Sequence, residues 1–563
     1  MKKNLSLFFL FATILTKAQS PVFEWAISQG GTSDDSGTSL TTDTLGNTFV
    51  TGFFRGTTDF DPGAGTFNLT ANGNYDIFIE KLDAAGNLVW ARSMGSQEVD
   101  NGLSVALDGT GNVYVTGFFQ DTVDFDPGAG LVNLTAAPGT ESMFVLKLSP
   151  AGNYIWAKSV ASSRGQSIAV DPSGNTCVTG YYTDTTDFDP GAGMVPAASS
   201  GSHDVFILKL DATGNFLWSN AFGSFFSDYG ASLAFNQSGS VYITGVFHST
   251  IDFDSGSSIF NLTAAGSGDL FILKLDPNGN FIWAKKAGGT SDEYASSLVL
   301  DPACNIYLSG GFYGTADFDP GAATFNLTSA GDGDIYISKL DSAGNFIWAK
   351  GMGGTYNDFA ASVALDVSGN VYTTGYFLGT TDLDPGPAVY SPATSGFSLD
   401  IFISKLDTAG NFVWAQNMGA SGGDNGNDIS VDKYSNVYTT GNYTGTVDFD
   451  PSSGVFNLTS FPANNDLYIH KMSQAITGIP ESINFRDITA FPNPTTGTFN
   501  ISISLPGKYA TMEIYNTSGN LIQRQEITGT HATIDLATEA NGLYLIKIIS
   551  DNNTIQSAKI VKQ

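Results

Sequence analysis

The sequence predicts an all-β protein: a seven-bladed β-propeller closed by its N-terminal strand, followed by a small C-terminal β-sandwich. Three observations carry this. All seven tryptophans, Trp25, Trp90, Trp156, Trp218, Trp283, Trp348 and Trp414, recur at steps of 65, 66, 62, 65, 65 and 66 residues, and a fixed period in the tens marks an array or a propeller. The seventh copy lacks its Trp-bearing strand, which stands instead at the N-terminus as Val22-Phe23-Glu24-Trp25-Ala26. One strand from the start and three from the end complete one blade, close the circle and remove exposed sheet edges. Finally, 65 glycines and 12% aromatics suit many short strands joined by tight turns.

Taken in order, residues 1–18 read as a secretory signal: Lys2-Lys3, an apolar core from Leu5 to Leu15, and a small-residue cleavage site at Thr16-Lys17-Ala18. That core is too short to span a bilayer, and the mature chain offers no transmembrane segment. Residues 19–473 read as the propeller. Each repeat has four strands: A (Ser104 to Asp108), B (Asn112 to Phe119), C (Asp76 to Asp83) and D (Asn87 to Ala91) are examples. They are apolar on both parities, as strands buried on both faces must be. The equivalent tryptophans are expected to join blade to blade. Most of the A–B and C–D turns share an Asp-x-x-Gly-Asn pattern, as from Asp108 to Asn112 and from Asp341 to Asn345, in which Gly supplies a residue at φ > 0. The B–C and D–A loops share the opposite face and gather the acidic residues there.

Those acidic residues form seven paired motifs: Asp59 with Asp61, Asp124 with Asp126, Asp187 with Asp189, Asp252 with Asp254, Asp317 with Asp319, Asp382 with Asp384, and Asp448 with Asp450. Residues i and i+2 of an extended segment point to one side, so each pair presents two carboxylates before a turn. Two readings stand. The pairs are candidate ligands for Ca²⁺, which takes carboxylates and turn carbonyls. Alternatively, their oxygens accept backbone N–H bonds and shape the hairpin. A catalytic pair would have to differ from its copies, and none does. No catalytic residue is assigned. The Gly419-to-Gly423 stretch fits Gly-x-Ser-x-Gly but falls in a D–A loop without the strand-to-helix turn of a nucleophile elbow. His203, His248, His470 and His531 occupy unrelated repeat positions, and Cys177 and Cys304 fall in non-neighbouring repeats, which suits two unpaired thiols. The net charge of −30 excludes nucleic acid, whose phosphates need clustered Lys and Arg.

The repeats, with Asp-x-x-Gly-Asn-Val-Tyr-x-Thr-Gly, Asp-x-Phe-Ile-x-Lys-Leu-Asp and the Trp-Ala strand, resemble the SBBP-type β-propeller family over about residues 22–473. That likeness speaks for fold and little for activity. Residues 474–486 read as a linker. From 487 to 563, about seven short strands, among them Ala510 to Tyr515 and Leu543 to Ile549, predict a sandwich. This tail carries Phe491-Pro492-Asn493-Pro494 with Gly497, then Ile514-Tyr515-Asn516 with Gly519, Gly542-Leu543-Tyr544 and a terminal Lys559-Ile560-Val561-Lys562. In these motifs it resembles the type A C-terminal sorting domain of type IX secretion. The resemblance implies an export address read by the type IX machinery, with Pro492, Asn493, Pro494, Gly497, Gly542, Tyr544, Lys559 and Lys562 as its signature. The expectation is a secreted or outer-surface binding or adhesion protein with a glycan or protein ligand. An extracellular polysaccharide hydrolase or lyase acting at the central channel, and a structural surface component without a ligand, are the alternatives.

Overall fold

The computed structural model describes residues 21–474, bar 393, 395, 396 and 453, and residues 488–562, bar 504–509, 517–520, 528–530 and 551–554. The signal sequence and nearly all of the linker expected from the sequence lie outside these residues. The chain divides into two compact units, Met1–Ala475 and Ile476–Gln563. Among the described residues there are strands and turns and no α-helix, so the all-β class holds.

In the larger unit each repeat builds an antiparallel sheet in the order A-B-C-D. The first is Ser36–Thr42, Thr48–Phe54, Asp76–Leu82 and Leu88–Met94. The repeat at the end of the array supplies Asn425–Val431, Val437–Tyr443 and Asp466–Gln474, and its fourth strand is Pro21–Gln29 from the N-terminus. Ala26 stands opposite His470 and Trp25 opposite Lys471 in that pairing. The sheets of the fourth and fifth repeats are continuous, because Gly288 and Gly289 pair with Asp317 and Ala316. Each A strand lies beside the A strands of the repeats before and after it, and Ser36–Thr42 lies beside Asn425–Val431.

The tryptophans join consecutive repeats. Trp90 Nε1 donates to Pro150 O at 3.1 Å, Trp156 to Ala212 O at 3.2 Å and Trp218 to Pro277 O at 3.1 Å. Each of these carbonyls belongs to the C–D turn of the following repeat, whose glycine lies on the indole: a Cβ at Gly152 would stand 2.8 Å from Trp90. Trp25 does the same across the ends of the chain, donating to Ala84 O at 3.3 Å. Trp414 Nε1 is buried with no partner among the described residues. The repeat it faces has no C–D turn, since its D strand comes from the N-terminus.

The turns follow the expected chemistry. Asp108 Oδ1 accepts the N–H groups of Thr110 and Asn112, and Gly111 sits at φ +82°. In two copies Cys304 (φ +62°) and Ser435 (φ +63°) take the glycine's place. Cys177 and Cys304 are free thiols.

The smaller unit holds two sheets. Ile488–Phe491, Thr498–Ile503 and His531–Asp535 form one; Leu521–Ile527, Ala510–Asn516, Gly542–Ser550 and Ile555–Lys562 form the other. Phe499, Ile501, Met512, Ile514, Ile534, Tyr544, Ile546 and Ile560 make their shared core.

Candidate functional site

The acidic hairpins are built alike in every repeat. Asp59 Oδ1 accepts the N–H of Asp61 (3.0 Å) and of Phe67 (2.8 Å), and Asp61 Oδ1 accepts that of Gly63 (2.8 Å). The leading acid of each later pair repeats the first two bonds: Asp124, Asp187, Asp252, Asp317, Asp382 and Asp448. The trailing acid repeats the third. Asp126 accepts from Gly128 N, Asp189 from Gly191 N, Asp254 from Gly256 N, Asp319 from Gly321 N and Asp384 from Gly386 N. Asp450 accepts from Ser452 N, a serine standing in for the glycine. The residue between the two acids is the anchor: Phe60, Phe125, Phe188, Phe253, Phe318, Leu383 and Phe449 are all buried. An exposed acidic turn pinned by a buried core residue is therefore the repeated unit, and Asx-type bonding dictates its shape.

In this geometry each acid of a pair has one oxygen bonded to its own hairpin. In every pair the two acids are linked head to tail, since the trailing residue's own N–H is bonded to the leading carboxylate. One oxygen each of Asp61, Asp126, Asp189, Asp254, Asp319, Asp384 and Asp450 is turned inward onto its own loop, two residues ahead. The physical reason is local: an Asp side chain reaches the N–H two residues on without strain, and a bonded carboxylate needs no cation to hold it. No group of three or more His, Cys, Asp or Glu side chains suited to a metal occurs among the described residues.

A second set of acids, which the sequence reading did not single out, lies inside the seams between repeats. Asp100, at the start of an A strand, accepts the N–H of Ser96 four residues back and of Gln120 twenty residues on. It thereby ties the D–A loop to the B–C loop. Asp35, Asp228, Asp358 and Asp424 make the same two bonds, and Glu293 makes the first. Across each seam stands the Asp that opens the preceding C strand: Asp76, Asp204, Asp269, Asp334, Asp400 or Asp466, each buried. Burial pushes Asp35 up to about 7 and Glu293 to about 8, and the facing acid pushes the same way. These C-strand carboxylates lie on a glycine at the end of the D strand. A Cβ on Gly95 would sit 2.2 Å from Asp76, and one on Gly30 2.2 Å from Asp466.

The seam between the second and third repeats departs from this plan. Ser142 and Ser163 replace the two acids, and Ala161 replaces the glycine, opposite Ser142 in the register. The D–A loop is also shorter: Trp156 is seven residues from Ser163, whereas Trp90 is ten from Asp100. A cavity of about 350 Å³ opens here, lined among others by Gln120, Thr140, Glu141, Tyr181 and His203. Its trace in the sequence is the short, 62-residue tryptophan step from Trp156 to Trp218, which by itself marks no site.

The A strands enclose a smaller polar cavity of about 140 Å³. Ser39, Ser104, Ser167, Ser232, Ser297 and Ser362 occupy one repeat position, and Asp428 takes that position in the last copy. Val105 N donates to Ser39 Oγ at 3.2 Å, Ile168 N to Ser104 and Leu298 N to Ser232, so the hydroxyls tie each A strand to the next. Asp428 closes the series, accepting from Leu40 N (2.8 Å) and Ser362 Oγ (2.6 Å). Burial pushes its carboxyl up and these donors pull it back. Both oxygens of Asp428, the one acid among the cavity's lining residues, are committed to the scaffold.

Where the N-terminal strand meets the first repeat, Gln29 Nε2 donates to Glu80 Oε2 (2.8 Å) and to Phe60 O (2.9 Å). Glu80 is fully buried, and burial pushes its carboxyl up to about 8 against the Gln29 bond. At this position the other repeats carry Leu146, Leu208, Leu273, Ser338, Ser404 and His470.

In the smaller unit the signature residues meet. Asn493 Nδ2 donates to Lys559 O (2.8 Å) and its Oδ1 accepts from Val561 N (2.9 Å). Lys562 Nζ donates to Ala537 O (2.9 Å) and to Glu539 O, and Tyr544 OH donates to Ala540 O (2.7 Å). The Pro-Asn-Pro segment and the terminal strand are thus one locked structure.

Residues 489–563 match the family model described as the secretion system C-terminal sorting domain. This bears out the type IX sorting domain and gives the chain an export address to the cell surface or beyond. The chain is 26% identical to an uncharacterized WD repeat-containing protein L264 of Acanthamoeba polyphaga mimivirus, over 74% of this chain and 36% of that protein. It is 24% identical to the regulatory protein FlaEY of Caulobacter vibrioides, over 30% of this chain and 18% of that one. The chain spans about a third of the length of the first of these relatives, and less of the second. Among solved structures, a fungal alcohol oxidase of the AA5 family in complex with copper aligns over 97% of this chain and 98% of its own at 12% identity, with a TM-score of 0.33. PorZ, a surface component of the type IX secretion system of Porphyromonas gingivalis, aligns over 96% and 100% at 12% identity, with a TM-score of 0.17. Such scores are too low to relate the folds.

Proposed function

We propose that the chain is a surface-displayed or secreted binding and adhesion protein, exported through type IX secretion, whose repeats form a seven-bladed β-propeller of the SBBP type. The match of residues 489–563 to a sorting domain carries the export half of this reading. Closure of the ring is supported by the pairing of Pro21–Gln29 with Asp466–Gln474 and by the contact of Ser36–Thr42 with Asn425–Val431. Residues 1–18 act as the signal sequence, 19–473 as the propeller, 474–486 as the linker and 487–563 as the address. A glycan or protein ligand is the binding partner. The absence of a free, repeat-unique acid in the A-strand cavity disfavours a hydrolase there.

The acidic pairs retain a second, weaker role. Their Oδ1 atoms are engaged by backbone N–H groups, which leaves the Oδ2 atoms for a loosely held Ca²⁺ with a Kd on the order of 10⁻⁴–10⁻³ M. At 10 mM Ca²⁺ such binding raises the Tm of the repeat region, and an unchanged Tm retires it.

Export is tested by deleting residues 555–563. That strand holds the carbonyl of Lys559 and the N–H of Val561, to which Asn493 is bonded. The truncated protein is expected to accumulate in the periplasm; normal delivery to the surface would refute the address.

A further inference from the structure

The cavity at the seam between the second and third repeats is, we infer, a binding site for a neutral glycan, and this inference rests on the binding-protein reading above. It exists because the D–A loop is three residues short there. In the other repeats that loop is longer and a buried acid bonds its backbone, as Asp100 does Ser96 N. The acid is absent as well, and the polar groups around the opening are held by one another rather than by the backbone of the loop.

Of the lining residues, Glu141 and His203 are held in place by side chains outside the cavity wall. Arg164 meets Glu141 through two bonds, Nε to Oε2 at 2.9 Å and Nη2 to Oε1 at 2.5 Å. The guanidinium lies 3.9 Å from the ring centre of Phe118, which fixes its plane. The pair is partly exposed and its charges cancel, so it offers fixed donors and acceptors without a net field. Tyr181 and His203 pack edge to face at 4.5 Å, and His203 Nδ1 is within 3.1 Å of the hydroxyls of both Ser202 and Ser227. Ser227 belongs to the next D–A loop, which also carries the exposed Phe225 (80%) and Phe226 (55%). Phe226 in turn leans on His248.

The ligand chemistry follows from this set. A volume of about 350 Å³ falls at the small end of ligand pockets. Hydroxyl, amide and imidazole groups around half-buried aromatic rings suit a ligand that is polar at its edge and apolar on its face, which is the character of a sugar ring. Anions are disfavoured by the net charge of −30 and by the neutralised Arg164.

The test uses the mature full-length chain titrated calorimetrically with cellohexaose, maltohexaose, mannohexaose and chitohexaose, and with hexagalacturonate as the anionic probe. We expect at least one neutral hexasaccharide to bind and hexagalacturonate not to. Thr140→Trp, which fills the cavity, and Tyr181→Ala should each weaken binding at least tenfold. Thr328→Trp, in a separate cavity beside Asp382 and Lys350, should leave it unchanged. Circular dichroism checks that each variant is folded. Neutral-glycan binding that survives Thr140→Trp overturns this site and leaves the binding-protein reading standing. Binding of hexagalacturonate alone overturns the neutral class. No binding of any probe by a wild-type chain that still reaches the cell surface overturns the glycan inference and leaves the export reading intact.

Discussion

At the seam between the first and second repeats, Asp76 lies on Gly95 and Asp100 holds two loops by their backbone N–H groups. One repeat further on, Ser142 faces Ala161, Ser163 bonds its own loop through Val160 O, and a cavity opens beside the shorter loop. The two seams differ at three positions that change together. Where the carboxylate is lost, the glycine beneath it is lost too, because a Cβ is tolerated once the Asp has been cut to Ser. The clamped seam has spent its polar groups on its own loops; the open seam has polar groups to offer a ligand.

The largest effect is expected from forcing one seam toward the other. Gly95→Ala should cost about 2–4 kcal/mol, since it drives a methyl group into a buried carboxylate that has no room to retreat. Adding Asp76→Ser should recover at least half of that loss. Conversely, Ser142→Asp should destabilise the protein while Ala161 remains and be rescued by Ala161→Gly. Denaturant unfolding of these variants forms two double-mutant cycles, and independent residues would give additive losses with no coupling beyond about 0.5 kcal/mol.

The pairing of Asp76 with Gly95 was not legible in the sequence, whereas the strand order within the repeats was. Seven tryptophans and a displaced strand define the repeat and the pairing of Pro21–Gln29 with Asp466–Gln474, because period and missing parts can be counted along a chain. The Asp-x-x-Gly-Asn turns were legible for the same reason: bonds between Asp108 and Asn112 span four residues. The seam acids join residues twenty or more positions apart, as Asp100 does with Gln120, and no local pattern distinguishes them from the exposed acids of the hairpins. Of the latter, the reading that they shape their turns matches the bonds seen, from Asp59 and Asp61 through to Asp448 and Asp450. The open seam left only a short tryptophan step, which marks a deletion without saying what the deletion exposes.

A pH series sharpens the comparison at the closing seam. Glu80 is held near 8 by burial, while in the unfolded chain it titrates in the ordinary range near 4.3. The folded protein therefore keeps a proton that the unfolded chain releases, so the contribution of Glu80 is complete below about pH 4 and is lost as pH rises toward 8. Its neighbours in register, Val50 and Ala91, carry no charge, and Gln29 is its hydrogen-bonded partner. Glu80→Gln keeps the shape and cannot ionise. Its Tm should gain several degrees on the wild type between pH 5 and pH 9. The seam acids Asp35, Glu293 and Asp358 titrate in both proteins and cancel in the difference. Parallel melting curves across that range would show that Glu80 does not ionise within the fold.

The smallest effect separates complete seams from the one between the sixth and seventh repeats. Trp90 and Trp414 bury similar indoles, at 7% and 6% exposure, so replacing either with Phe removes comparable surface. Trp90→Phe also orphans the Pro150 carbonyl, whereas Trp414 Nε1 has no partner among the described residues to lose. An ordinary hydrogen bond is worth about 1 kcal/mol net, and an unsatisfied buried N–H carries a cost of its own. Trp90→Phe should therefore destabilise more than Trp414→Phe by about 1 kcal/mol, with Trp414→Phe the milder change in denaturant unfolding. Equal losses would mean that the indole N–H groups contribute nothing and that the tryptophans join the repeats by packing alone.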